Sequence, residues 1–354
     1  DYTWTGITSG NWSVSANLSS APVFNAANGI IFSGTPGNLT NFIDVDRTIG
    51  AITLDQLTSN ASIRLDNGVS TGRTLTLGNA TVAPTITVVG TSFVTHTIGS
   101  TGVGSVALGG NLTVDVDSGV FETLLTIARP ISGGFGITKE GTGFLYLNAT
   151  NTYTGKTVVN GGRVRIAGAG SLGSNPGSFV ADQVTLNDGS LYFGSGTVAF
   201  GNRGITLGAG GGSFIANNDQ TFTLDGTIAG AGNLTMTSFS TGNATLVLQQ
   251  ANTFTGNTII QKGILSLTNA NALQFSPFDT TTSIVGQGGS GLRTTGAALN
   301  LGGLIGNKNL ADIYTTTTGG YGSVTTITLN TVDGKDLSYS GAITGARSLI
   351  KTGN

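Results

Sequence analysis

The stretch Ile131 to Leu172 returns further along the chain, and that return constrains the fold more than any other feature. Leu145, Leu147, Asn151, Tyr153, Gly155, Thr157, Gly162, Val164, Ile166 and Leu172 recur 101 residues on. There they are Leu246, Leu248, Asn252, Phe254, Gly256, Thr258, Gly263, Leu265, Leu267 and Leu273. Ile131, Ile137 and Lys139 recur a third time, 212 residues on, as Ile343, Leu349 and Lys351. A repeat at this scale is first a packing instruction: each unit has an apolar face that it cannot bury alone.

Within the repeat, Leu145 and Leu147 share one face of a short strand, as do Val164 and Ile166, with Tyr153 and Gly155 between them. That is strand, corner, strand, corner. Elsewhere AITLDQL (51–57), TLTLG (74–78) and NLTVDVD (111–117) alternate apolar with polar residues, the signature of half-buried strands. No window shows helical spacing over ten or more residues. Stacking such strands ~4.8 Å apart buries a continuous interior and satisfies the backbone in long ladders. The expected fold is all-β, a right-handed parallel β-helix with coils assumed to be ~20–25 residues long. Residues 1–36, which hold Trp4, Trp12, Phe24 and Phe32, read as an aromatic cap over the first coil. An exposed indole there would also suit a sugar. Residues 37–354 read as one continuous β-helix, with repeats at 131–174 and 228–275, a looser connector at 276–342 and a third repeat beginning at 343. The alternative is a row of β-sandwiches. It fits less well, because both tryptophans lie in the first twelve residues rather than recurring every hundred or so.

Charge excludes several functions. With 9% charged residues and a net charge of −2, the chain has no basic field for nucleic acid. No apolar run approaches the ~20 residues of a membrane helix. Cys is absent, so stability must come from stacking and not from disulfides. The start at Asp1, without Met or leader, fits removal of an export signal or an excised fragment, and the break inside the third repeat fits a fragment or longer precursor.

At Lys139, Gly141, Gly143, Leu145, Leu147, Asn151, Tyr153, Gly155, Thr157, Val159, Gly162, Val164 and Ile166 the sequence resembles the autotransporter-associated β-strand repeat. Its pattern runs Lys-x-Gly-x-Gly-x-Leu-x-Leu, Asn-x-Tyr-x-Gly-x-Thr-x-Val, Gly-x-Leu-x-Val. The second copy lacks the Lys and the second Gly, with Met236 and Ala244 there or nearby. The resemblance implies a bacterial exported passenger, displayed on the cell surface or released, that serves as stalk or adhesin.

Candidate chemistry is sparse. Asp44/Asp46 and Asp115/Asp117 are i, i+2 carboxylate pairs, expected on the outward face of a strand. Such pairs can divide acid and nucleophile roles on a sugar. His96, the only histidine, is expected to point outward, and one His cannot build a multi-His zinc site. Arg163 and Arg165 share an outward face, either solvated or able to grip acidic sugars. GAGGG at 208–212 has no following Lys-Ser/Thr and reads as a turn, not a phosphate loop. Asn38, Asn111 and Asn233 open Asn-x-Ser/Thr sequons. No catalytic, cofactor-binding or metal-binding set is assigned, and no cofactor is expected. The expected role is a non-enzymatic extracellular β-helix, a stalk or a subunit of a surface fibre or sheath. Its expected partners are other copies of itself, end to end or lateral, or surface glycans. The alternatives are a glycan- or host-binding adhesin module and, further off, a polysaccharide-active enzyme.

Overall fold

The computed structural model describes all residues except 7–8, 34–39, 56–59, 65–71, 91–93, 100–102, 119–122, 194–196, 217–219, 240–243, 282, 284–289, 316–319, 332–334 and 354. The chain forms two units, Asp1–Asn175 and Pro176–Asn354. Each is a right-handed parallel β-helix, three strands to a full coil. Every ladder between strands within each unit is parallel, which overturns the sandwich alternative. Among the described residues the α-helix amounts to one turn, Leu310–Ile313.

In the first unit one face stacks Gly29–Ser33, Ala51–Asp55, Thr85–Gly90, Leu112–Ser118, Ile137–Glu140 and Thr157–Val159. The second face stacks Thr95–Ile98, Leu124–Ile127, Phe144–Leu147 and Arg163–Ile166. A third runs through Arg47–Ile49, Arg73–Leu77, Gly104–Leu108 and Ile131–Ser132. Strand alternation sends every second side chain inward, and the parallel register places like on like. Ile30, Ile52, Ile86 and Val114 thus form one buried column, and Ile98, Ile127, Leu147 and Ile166 another. Fully burying each such side chain contributes about 1.5–3 kcal/mol. The coil from Lys139 to Val159 takes 20 residues, but that from Ile52 to Ile86 takes 34, longer than the assumed ~20–25.

In the second unit one face carries Gly189–Phe193, Gly212–Ala216, Leu234–Ser238, Thr258–Ile260, Leu273–Asp279, Ala298–Ile305, Thr326–Asn330 and Ser348–Thr352. A second stacks Thr221–Leu224, Thr245–Leu248, Ile264–Leu267 and Gly291–Thr294. A third holds Val180–Leu186, Arg203–Leu207 and Ile228–Gly230. The stretch 276–342, read as a looser connector, contributes the end of Leu273–Asp279 and the strands Gly291–Thr294, Ala298–Ile305 and Thr326–Asn330 to these ladders. Its Thr-rich run lies mostly outside the described residues, at 316–319.

The repeat's fixed residues are the devices that join coils. Asn151 is 3% exposed. Its Oδ1 accepts from the Ile131 N–H at 2.9 Å and its Nδ2 donates to the Ser171 carbonyl at 2.6 Å, so one amide ties the coil before to the coil after. Asn252 does the same between Ile228 and Ala272, at 2.9 and 3.0 Å. The Tyr153 hydroxyl meets Thr157 Oγ1 at 2.6 Å. Where Phe254 replaces the tyrosine, Thr258 Oγ1 turns to Ser276 Oγ at 2.7 Å, and no buried hydroxyl is stranded. At Gly155 a Cβ would lie 2.2 Å from the Gly136 nitrogen, and at Gly256 2.0 Å from the Gly232 carbonyl oxygen, so only glycine lets the coils close there. We expect Asn151→Ala to strand a buried N–H and a buried carbonyl and to cost about 2–4 kcal/mol in urea unfolding of the chain. Asn148→Ala, at an exposed side chain, should change stability by less than about 1 kcal/mol.

Candidate functional site

The outward rows carry the polar chemistry. On the strand Leu112–Ser118, Asp115 and Asp117 point out while Leu112, Val114 and Val116 are fully buried, as expected. The parallel register then sets Glu140 directly beside Asp115, a third carboxylate that strand-by-strand reading missed. Asn160 Nδ2 donates to Glu140 Oε1 at 2.7 Å. Partial burial pushes the Asp115 carboxyl up from its usual range, with Asp117 and Glu140 adding to the rise and Lys139 opposing it.

Lys139 itself points inward, in the column Ile52, Ile86, Val114, Lys139, Val159, and it is fully buried. Its stem fills the interior and its ammonium turns to the corner, donating to the Glu140 carbonyl and, at 2.9 Å, to that of Gly141. Burial lowers its pKa to about 8, while the three nearby carboxylates pull the other way. This ammonium balances the acid row from within and is closed to any substrate. In the second copy Met236 fills the same inward place, fully buried between Phe214 and Ile260. The third copy repeats the corner bond, with Lys351 Nζ donating to Gly353 at 2.9 Å.

Asp44 and Asp46 do not share a strand face. They lie at a corner after Thr40–Phe42, because their carboxylates are taken up by backbone donors of other coils. Asp44 Oδ1 accepts from the Ser13 N–H at 3.0 Å, and Asp46 Oδ1 from the Thr74 N–H at 2.9 Å. His96, expected outward, points inward and is 1% exposed, in the column His96, Leu125, Leu145, Val164. Its Nδ1 accepts from the Ala61 N–H at 3.1 Å, and burial lowers its pKa to about 4. Arg163 and Arg165 do share the outward face, yet they are not simply solvated. Each guanidinium lies over the aromatic ring of the coil before, 4.7 Å from the Phe144 centroid and 4.5 Å from that of Tyr146.

The indoles offer no sugar platform. Trp4 and Trp12 are buried, Trp12 stacks on Phe24 with centroids 5.9 Å apart, and its Nε1 donates to Asn41 Oδ1 at 2.8 Å. Asn111 and Asn233 use their amide oxygens to accept the Gly136 and Asn257 N–H groups, at 2.9 and 2.8 Å. Asn38 lies outside the described residues. Among the described residues, no group of three or more His, Asp or Glu is placed to hold a metal ion. No helix among them is long and apolar enough to cross a membrane.

These arrangements define a class of protein: a repeat-built parallel β-helix whose shared residues serve coil stacking, with its chemistry left to the outward rows. Residues 137–166 and 240–267 match the passenger-associated transport repeat. It is similar to the BmaC autotransporter adhesin of Brucella suis, 37% identical over 141 residues. That stretch is 38% of this chain and 4% of the relative, so the similarity spans a small part of that protein's length. No solved structure matches the chain.

Two stability predictions follow from the buried polar groups. The unfolded His96 takes up a proton near its ordinary 6.5, the folded one only near 4. Stability is therefore full above pH 6.5 and falls as pH drops toward 4, by about 3 kcal/mol at 1.36 kcal/mol per unit. His96→Asn, which keeps an acceptor for the Ala61 N–H, should flatten that slope in urea titrations at pH 4 to 7. Lys139→Met, which copies Met236, should raise stability at pH 7 by about 1–3 kcal/mol, since a buried charge is replaced by a matching apolar side chain.

Proposed function

We propose that the chain is a segment of an exported passenger displayed outside the cell. It acts as a non-enzymatic, rigid adhesive stalk or as a subunit of a surface fibre. The observation that carries this reading is the use made of the repeat: Asn151 and Asn252 bond coil to coil, and Gly155 and Gly256 let the coils close. Extended ladders with few exposed cations suit a spacer that must resist tension and proteases. The similarity to a stretch of an adhesin supports the adhesive part. An enzymatic reading finds less support. The acid row Asp115, Asp117 and Glu140 stands on an outward ladder, and its nearest lysine is sealed in the interior.

The test is adhesion of beads coated with the folded chain to cultured mammalian cells, against beads coated with urea-denatured chain. We expect retention at least threefold above the denatured control, together with trypsin resistance of the native chain over hours. Equal retention of both bead types, or rapid digestion of the native chain, would overturn the reading.

A further inference from the structure

The second unit holds a feature that coil stacking does not use. A cleft of about 180 Å3 opens where three stacked strands begin, lined by Asp188, Gly210, Gly211, Ser213, Asn233 and Thr235. Its size suits one pyranose ring; drug-sized ligands occupy pockets of about 300 Å3 or more. The lining is almost wholly polar. Asp188 supplies a carboxylate, Ser213 and Thr235 hydroxyls, and the glycines bare backbone; Asn233 offers only its Nδ2, since its Oδ1 accepts the Asn257 N–H.

The cleft is held in shape from behind. The Asp188 N–H donates to the Gly211 carbonyl at 2.8 Å, and the Gly212 N–H to that of Asn233 at 2.9 Å. Asn187 Oδ1 accepts from the Gly210 N–H at 2.9 Å. Asp188 has φ of 67°, the only non-glycine with positive φ among the described residues. Asp tolerates this left-handed conformation better than most non-glycine residues, which lets the corner carry a carboxylate.

A second, separate observation lies on the same outward rows. Ser213 and Ile215 are two residues apart on one strand, and Tyr192 is the register partner of Ile215. The Phe239 ring meets Tyr192 edge to face, with centroids 5.1 Å apart, and Phe239 remains 44% exposed. The Tyr192–Ile215 row, against which the exposed Phe239 ring packs, thus stands about 7 Å along the strands from Ser213. A carboxylate and amide beside an aromatic face match the hydroxyls and the apolar C–H face of sugars.

We propose that Asp188, Ser213, Asn233 and Thr235 bind one residue of a neutral oligosaccharide, whose next residue packs on Phe239. The carboxylate is the only charged group lining the cleft, so it accepts from vicinal hydroxyls and repels acidic sugars. This gives the adhesive reading above a ligand class and rests on it.

The test is a glycan array probed with the labelled full chain, displaying neutral galactose-, glucose-, mannose- and fucose-terminated oligosaccharides and their sialylated or sulfated counterparts. We expect binding to at least one neutral class and at least tenfold weaker binding to its anionic counterpart. Asp188→Asn and Phe239→Ala should each weaken the neutral signal at least tenfold. Asp188→Gly should do so while leaving the melting temperature unchanged or higher, which separates lost binding from lost fold. Binding confined to acidic glycans, no glycan binding, or neutral binding untouched by the Asp188 variants would overturn the proposal. Bead adhesion that persists on cells stripped of surface glycans would remove the sugar ligand while leaving the adhesive reading standing.

Discussion

The structure depends on one constraint: in a parallel ladder each inward side chain sits directly on its counterpart one coil away, at about 4.8 Å. No side chain can choose its neighbours independently. An aliphatic residue calls for another above it, and the columns Ile98, Ile127, Leu147, Ile166 and Leu75, Val106, Ile131 are the result. A large residue must be answered within the same coil or the next. In the second unit Phe193 lies flat against Phe222 with centroids 3.5 Å apart, and at 6.5 Å parallel to Phe214. Thus the sequence repeats not because function needs copies, but because each coil is the floor of the next.

The same constraint sets the terms on which polar groups enter the interior. A buried donor or acceptor without a partner costs about 1–3 kcal/mol, so each intruder must find backbone that the ladder leaves free. Such backbone occurs at corners. Asn151 and Asn252 bracket corner groups of the coils on either side. Lys139 bends its ammonium to the corner carbonyls after Glu140, and His96 takes the Ala61 N–H where the neighbouring strand has not yet begun. The switch from Tyr153–Thr157 to Phe254 with Thr258–Ser276 follows the same logic: a lost phenol is compensated by a serine.

This explains what could be read from the sequence and what could not. Fold class and strand parity were legible, because alternation in NLTVDVD or in Arg163–Ile166 reports inward and outward positions directly. His96 and Lys139 were legible too by strict parity, since each lies two residues from an inward isoleucine, Ile98 and Ile137. The habit of placing polar residues outward hid it for His96. What no single strand could reveal was register. That Glu140 falls beside Asp115, or Arg163 over Phe144, depends on loop lengths between coils, which range freely because loops leave the body without disturbing the ladder. Asp44 and Asp46 misled for a related reason: alternation continued past the strand's end into a corner.

A division of labour follows from where the constraint stops. Inward positions are fixed by their neighbours above and below, so they carry no freedom for recognition. The motif residues face the same limit, since Gly155 and Gly256 allow no side chain at all. Freedom survives on outward rows and at corners outside the matched repeats. There Asp188 can turn the chain in a left-handed conformation and Phe239 can stay exposed without harm to the stack. A β-helix built this way can change a corner or an outward row and leave every buried column as it was. Similarity over the repeats therefore speaks for architecture, whereas the segments between them, such as 188–239, are free to differ in what they present outward.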